Sequence, residues 1–205
     1  MSLAEHHPVP HRIYHWVNLI AMVVLTVTGF YIHRPFAEGW MNVARWLHFI
    51  FMYLILFNLI GRIYIAFFGK KPDYHEFGYS KKDLPDLIAT AKYYLFIGPH
   101  ADTGKYNPLQ KSSYNLAIVL IFFQGLTGFA MYYPVQFAGF LDAMGGLAAV
   151  RALHYLFMWV FIAFTLFHAY LAATCWSEFL VMMFGIDKEK EGMVTSGKSA
   201  NLGGR

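Results

Sequence analysis

Four long apolar stretches, separated by more polar segments, dominate the hydropathy pattern of this chain. They cover about residues 13–32, 46–68, 113–133 and 147–176. A helix needs about 20 apolar residues to cross a bilayer, and each stretch reaches that length. The stretches are continuous and lack period-two alternation, which favours helices over strands. The pattern therefore predicts an all-α membrane protein with a four-transmembrane-helix bundle.

The segments between and after these stretches carry weaker patterns. The connection 69–112 is polar but contains an amphipathic stretch at 84–97, which predicts a helix on the membrane surface. The short apolar connection 134–146 predicts a brief helix or turn at the opposite interface. Charge, glycine and serine are frequent after residue 185 and are typical of disorder. We therefore expect a membrane domain at 1–184 and a polar tail at 185–205.

Composition and charge support a membrane protein and give it an orientation. Charged residues make up 14% of the 205, against about 25% in an average soluble domain. Of the 16 Lys and Arg residues, only Arg34, Arg45 and Arg151 lie in or beside the connections after the first and third stretches. The positive-inside rule then places both termini and the connection 69–112 in the cytoplasm. The basic excess reflects topology, and we expect no nucleic-acid partner.

Histidines inside the apolar stretches are the candidate chemistry of the chain. His154 and His168 are 14 residues apart, so in one helix they share a face, about 21 Å apart along the axis. Depth then pairs His48 with His154 near the outer surface and His15 with His168 near the inner one. Imidazole pairs without carboxylates or cysteines beside them predict axial ligation of two b-type haems. The chain lacks a C-x-x-C-H motif, so these haems are expected to be non-covalent.

Arginines and glycines near these histidines fit the same interpretation. Arg12, Arg45 and Arg151 each precede a histidine by three residues, one helical turn nearer the membrane surface. Arginine binds carboxylates in bidentate fashion, so we expect these side chains to hold haem propionates. Gly29 and Gly128 lie within the apolar stretches, where small residues allow close helix packing or admit a flat macrocycle.

Two other classes of membrane protein also place histidines or apolar spans in a bilayer: transporters and structural anchors. A transporter with histidine relays would need acidic partners within the spans, but Asp142 and Glu178 lie at their edges. A purely structural anchor would leave the four histidines without a role. The single cysteine, Cys175, is expected to be a packing residue. No residue of the chain is predicted to be catalytic.

Several short motifs, spread over about residues 10–180, resemble one family. They are Arg12-x-x-His15-Trp16, Thr28-Gly29, Arg45-x-x-His48-Phe49, the stretch KYNPLQK at 105–111, Thr127-Gly128-Phe129, and the spacing of His154 and His168. Together they resemble the four-helix di-haem cytochrome b subunits of membrane-bound NiFe hydrogenases and respiratory formate dehydrogenases. The resemblance implies two b haems with the pairing given above.

The resemblance further implies a quinone site beside the inner haem. Its expected residues are Asn107, Gln110, Lys111 and His168, for menaquinone or ubiquinone. Leu109 stands where some formate dehydrogenase members have glycine, which would alter the shape of the pocket.

The resemblance also implies the partners and the location of the chain. An iron–sulfur subunit and a catalytic large subunit would lie on the outer face of a bacterial cytoplasmic (inner) membrane. The chain itself would be a multi-pass electron-transfer subunit of a respiratory oxidoreductase. The segments 93–96 and 103–106 favour a NiFe hydrogenase, and formate dehydrogenase and thiosulfate-type reductases are the alternatives.

Overall fold

The computed structural model describes residues 9–70, 72, 74–81, 83–99, 108–174 and 176–186. Within them it contains seven α-helices and no strand. The helices are α1 (Val9–His33), α2 (Met41–Phe68), α3 (Asp83–Tyr94), α4 (Pro108–Tyr132), α5 (Ala138–Ala143), α6 (Leu147–Thr174) and α7 (Trp176–Phe184). A short 3-10 helix, Tyr74–Phe77, precedes α3.

Helices α1, α2, α4 and α6 are each long and apolar enough to cross a membrane. The predicted all-α membrane protein with four spans is therefore confirmed. On α1, the side chains of Ile20, Val23 and Val27 are more than half exposed and follow one another at helical spacing. Such an uncovered apolar stripe would be unfavourable in water, whereas in a bilayer it contacts lipid.

The chain divides into two compact units. One contains Met1–Leu54 and Met158–Arg205, and the other contains Ile55–Phe157. Helices α2 and α6 contribute to both units. The predicted tail lies outside the described residues from residue 187 onward.

Helix α3 is the predicted amphipathic helix, but it is shorter at its C-terminal end. The Ile97 N–H donates to the Lys92 carbonyl at 2.9 Å, and the Phe96 N–H donates to the Tyr93 carbonyl at 2.9 Å. Phe96 has a φ of +59°, so the backbone turns left-handed there and the helix cannot continue. The apolar residues 95–97 therefore form an exposed turn after the helix and are not its last turn.

The N-terminal end of α3 is fixed to α4. The Asp83 carboxylate accepts the Ser80 backbone N–H and pairs with the Lys111 ammonium at 3.1 Å. Lys111 also donates to the Gly78 carbonyl at 3.4 Å. The Ser80 N–H first, and Lys111 next, hold the pKa of the Asp83 carboxyl below its usual value. These contacts hold α3 against the first turn of the third membrane span.

The short connection after α4 contains the predicted brief helix, α5. A small buried cluster forms here from Ala130, Leu141 and Val150, with Met131, Phe137, Phe140 and Met144 packed against it. The Gly146 N–H donates to the Leu141 carbonyl at 2.7 Å, and Gly145 has a φ of +88°. A glycine in this left-handed conformation ends a helix without the steric cost that a side chain would add.

Helix α7 is held at its carbonyl end by two side chains of α1. Arg12 Nε donates to the Met182 carbonyl at 3.2 Å, and Trp16 Nε1 donates to the Met183 carbonyl at 3.3 Å. These two carbonyls belong to the last turn of α7, where no later helical N–H is available to them. A guanidinium at this end also complements the helix dipole.

Candidate functional site

His15 on α1 and His168 on α6 lie beside each other in the first unit. Their ring centroids are 6.2 Å apart and their planes are inclined at 46°. Two imidazoles on opposite sides of one metal ion, with metal–nitrogen bonds of about 2.0 Å, have centroids roughly 6 to 6.5 Å apart. The two rings therefore stand at a separation that suits ligation of one metal from both sides.

Within this pair, the Nδ1 atom of His15 is buried and has no hydrogen-bond partner among the described residues. The His168 ring is exposed and lies next to Phe164, with centroids 6.0 Å apart and planes 11° from parallel. A buried polar atom without a partner is costly in a membrane helix. Such a cost is common at functional sites, where a group is kept for chemistry and not for stability.

His48 on α2 is bound through Nδ1 to the Thr28 hydroxyl of α1, at 2.9 Å. The same hydroxyl donates its only proton to the Val24 carbonyl at 2.7 Å, shared with the Leu25 carbonyl at 3.2 Å. The hydroxyl oxygen must therefore accept the proton of Nδ1–H from His48. This fixes the tautomer with Nε2 unprotonated, which is the form that binds a metal.

His154 on α6 is bound in the same way by α4. The Thr127 hydroxyl lies 2.8 Å from Nδ1 of His154 and donates to the Phe123 carbonyl at 2.8 Å. It therefore also accepts Nδ1–H, which leaves Nε2 unprotonated, the form that binds a metal. Gln124, one turn earlier on α4, donates to the His154 backbone carbonyl at 3.2 Å. Thr127 is fully buried, so this arrangement is shielded from solvent.

These features test whether a haem fits the four histidines. Among the described residues, no group of three or more His, Cys, Asp or Glu side chains could hold a metal ion. Two imidazoles alone would leave a metal ion short of ligands, whereas a haem iron brings four equatorial nitrogens of its own. The residues present therefore fit haem better than a bare ion. His48 belongs to the first unit and His154 to the second, so their predicted pairing stays a prediction.

The predicted propionate-binding arginines have different environments. Arg12 is half-buried and bound to the end of α7, a role that the sequence did not indicate. Arg45 and Arg151 are exposed in the second turns of α2 and α6. A Cβ added to Gly29 would lie 3.5 Å from Cε1 of His48, which is ordinary van der Waals contact with the ring.

Gly128 directly follows Thr127, as Gly29 follows Thr28. Sequence reasoning missed the role of the two threonine hydroxyls. The signal available was the repeated Thr-Gly dipeptide inside an apolar stretch.

The predicted quinone residues are only partly described. Asn107 lies outside the described residues, and Gln110 belongs to α4 but its side chain is not described. Lys111 is paired with Asp83, and His168 stands beside His15. The quinone site therefore stays a prediction.

Comparison with known proteins shows that this chain is similar to one family of membrane cytochromes. Residues 6–183 match the family described as prokaryotic cytochrome b561. A probable Ni/Fe-hydrogenase B-type cytochrome subunit of Cupriavidus necator is 31% identical, covering 80% of this chain and 76% of that protein. A probable Ni/Fe-hydrogenase 1 B-type cytochrome subunit of Escherichia coli (strain K12) is 29% identical, covering 80% and 79%.

A third relative has a different name. A putative protein-methionine-sulfoxide reductase subunit of Azospira oryzae is 30% identical and covers 87% of this chain and 96% of that protein. The four apolar spans, the membrane histidines and the match over residues 6–183 agree with one another. The chain is a multi-pass membrane protein that belongs to the prokaryotic cytochrome b561 family.

Proposed function

We propose that this chain is the membrane-anchoring electron-transfer subunit of a respiratory oxidoreductase and holds two b haems. His48 and His154 would hold one haem near the outer surface, and His15 and His168 the other near the cytoplasmic surface. The observation that carries the proposal is the state of the imidazoles. His48 and His154 have the tautomer in which Nε2 is unprotonated, and the ring centroids of His15 and His168 are 6.2 Å apart. When bound, the haems supply one-electron redox chemistry.

The orientation of the subunit follows from its charges. Lys and Arg are scarce in the connections after α1 and α4, so those connections face outward and both termini face the cytoplasm. The location that fits is a bacterial cytoplasmic (inner) membrane. The tail 185–205 would then lie in the cytoplasm.

The favoured partner is a NiFe hydrogenase, because relatives covering most of this chain carry that name. Its iron–sulfur subunit and catalytic large subunit would dock on the outer face. Phe36, Trp40 and Val135 lie in the connections that we propose to face outward, and they are 82%, 61% and 83% exposed. Exposed aromatic and apolar side chains of this kind suit a protein interface. An iron–sulfur subunit docked on these side chains would lie on the same side of the membrane as the haem that His48 and His154 are proposed to hold.

Quinone reduction would occur at the cytoplasmic end, near the start of α4. Asn107, Gln110 and Lys111, together with His168, would bind menaquinone or ubiquinone and pass it protons from the cytoplasm. Electrons entering on the outer side would cross the membrane before meeting those protons. Each elementary charge moved against a membrane potential of 100 mV stores about 2.3 kcal/mol. The subunit would thus link oxidation outside to energy conservation.

A second candidate partner is a methionine-sulfoxide reductase. The relative with that name is matched over 96% of its length, a larger share than for the hydrogenase subunits described above. With such a partner, the same histidines would carry electrons outward from quinol to the reductase. Formate dehydrogenase and thiosulfate-type reductases are further alternatives. Mass spectrometry of the partner that copurifies with the tagged chain separates these cases.

Haem stoichiometry in paired histidine variants tests the proposed ligands. Changing His48 and His154 together to alanine should remove one haem per chain, as should changing His15 and His168 together. Changing His48 and His15 together should remove both, because each haem then lacks one ligand. His33→Ala is the matched control, since this exposed histidine lies at the end of α1. Loss of both haems from the His48/His154 double variant, with normal protein yield, would contradict the pairing.

A further inference from the structure

Three of the four candidate ligands, His48, His154 and His15, differ in what their Nδ1 atoms contact. Those of His48 and His154 donate to threonine hydroxyls at 2.9 and 2.8 Å. That of His15 is buried without a partner among the described residues. This difference coincides with the proposed pairing, because His48 and His154, whose rings contact hydroxyls, form the proposed outer pair.

The two hydroxyls have the same geometry although they lie on different helices. The hydroxyls of Thr28 on α1 and Thr127 on α4 each donate to the backbone carbonyl four residues earlier. Each hydroxyl oxygen also accepts a hydrogen bond from the Nδ1–H of a histidine ring. In a membrane helix, the hydrogen bond from a threonine hydroxyl to the carbonyl four residues earlier is sufficient to satisfy the hydroxyl proton. The contact with the ring is therefore additional, and it occurs twice.

An acceptor on Nδ1–H makes an imidazole a more basic ligand. A more basic axial ligand stabilises ferric iron over ferrous iron and lowers the reduction potential. Resting on the function proposed above, we propose that the hydroxyls of Thr28 and Thr127 lower the midpoint potential of the outer haem. The inner haem, with His15 lacking such an acceptor, keeps the higher potential. A single electron passing from outer ferrous to inner ferric iron then moves downhill in potential.

The test is a potentiometric titration of the purified complex with single hydroxyl variants. Thr28→Val and Thr127→Val keep the side-chain shape and remove the hydroxyl. At the potential where the outer haem is half reduced, each should raise the ratio of reduced to oxidised outer haem about three- to tenfold. A tenfold change corresponds to about 59 mV for a one-electron couple. The inner haem should be unchanged.

Two kinds of control separate tuning of the potential from structural effects. Thr28→Ser and Thr127→Ser retain the hydroxyl and should retain the original potential. Ser113→Ala removes a hydroxyl of α4 that donates to the Leu109 carbonyl at 2.8 Å, and should leave both haems unchanged. The histidine variants above identify which haem is the outer one, by its loss from the spectrum.

Each outcome of the titration has a defined meaning. A rise for the same haem in both valine variants supports the proposal. Unchanged or lowered potentials, in a protein that holds two haems, would overturn it and leave the proposed function intact. Shifts of two different haems would overturn both the inference and the pairing. Loss of haem from both valine variants, with both serine variants keeping it, would also overturn it, because the hydroxyls would then be needed for binding.

Discussion

The contact between α1 and the carbonyl end of α7 gives a quantitative prediction. Arg12 and Trp16 each donate one hydrogen bond, to the carbonyls of Met182 and Met183. At half-buried sites such a bond contributes about 1 kcal/mol, which is about fivefold in an opening equilibrium. Arg12→Ala should therefore increase local opening of α7 about fivefold, and the double variant Arg12→Ala/Trp16→Phe about thirtyfold. Hydrogen–deuterium exchange of the amides of Trp176–Phe184 measures this directly.

A control variant and a readout of haem content show whether Arg12 acts on α7 or on a haem propionate. Arg34→Ala removes an exposed arginine beyond the opposite end of α1 and should leave exchange in α7 unchanged. Unchanged exchange in the double variant would refute the reasoning. If Arg12→Ala instead releases haem while exchange in α7 stays the same, the guanidinium acts on a propionate, as the spacing to His15 first indicated.

Two further predictions concern stability. A Cβ on Gly125 would lie 3.1 Å from Leu56 Cδ2, so Gly125→Leu should overpack the contact and cost about 1–3 kcal/mol in thermal unfolding in detergent. Gly125→Ala should be near neutral, because a gain of about 1 kcal/mol in helix propensity offsets the small clash; equal stability of both variants would contradict this. The lowered pKa of Asp83, due first to the Ser80 N–H and then to Lys111, means that its stabilising effect is present above the ordinary carboxyl pKa. This stabilisation should be lost as the pH falls through the lowered pKa that Asp83 has in the folded protein. The measured sign would be weaker protection of the α3 amides from hydrogen exchange, relative to the intrinsic rate at each pH, and Asp83→Asn should abolish this pH dependence.

Hydropathy was sufficient to predict the four spans. In the bilayer core, each crossing segment must form its backbone hydrogen bonds internally, and a continuous apolar helix does so. The ends were less predictable. Helix α1 already includes Val9, before the apolar stretch, since helices continue through polar interfacial residues. Helix α3 stops early because Phe96 adopts a left-handed backbone, for which phenylalanine has no preference.

The candidate ligands were predictable from the sequence, but their surroundings were not. Four histidines in apolar segments stand out because ionisable groups are rare there. By contrast, the contacts of Thr28 with His48 and of Arg12 with α7 join residues far apart in the chain. Such contacts depend on how helices pack, and residue type and spacing do not determine that.

The most direct test of the central claim is the haem content of the purified protein. A dithionite-reduced minus oxidised spectrum, with pyridine haemochrome quantitation per chain, measures the number and type of haems. The account predicts two non-covalent b haems per chain. A folded, fully expressed protein without haem would contradict it.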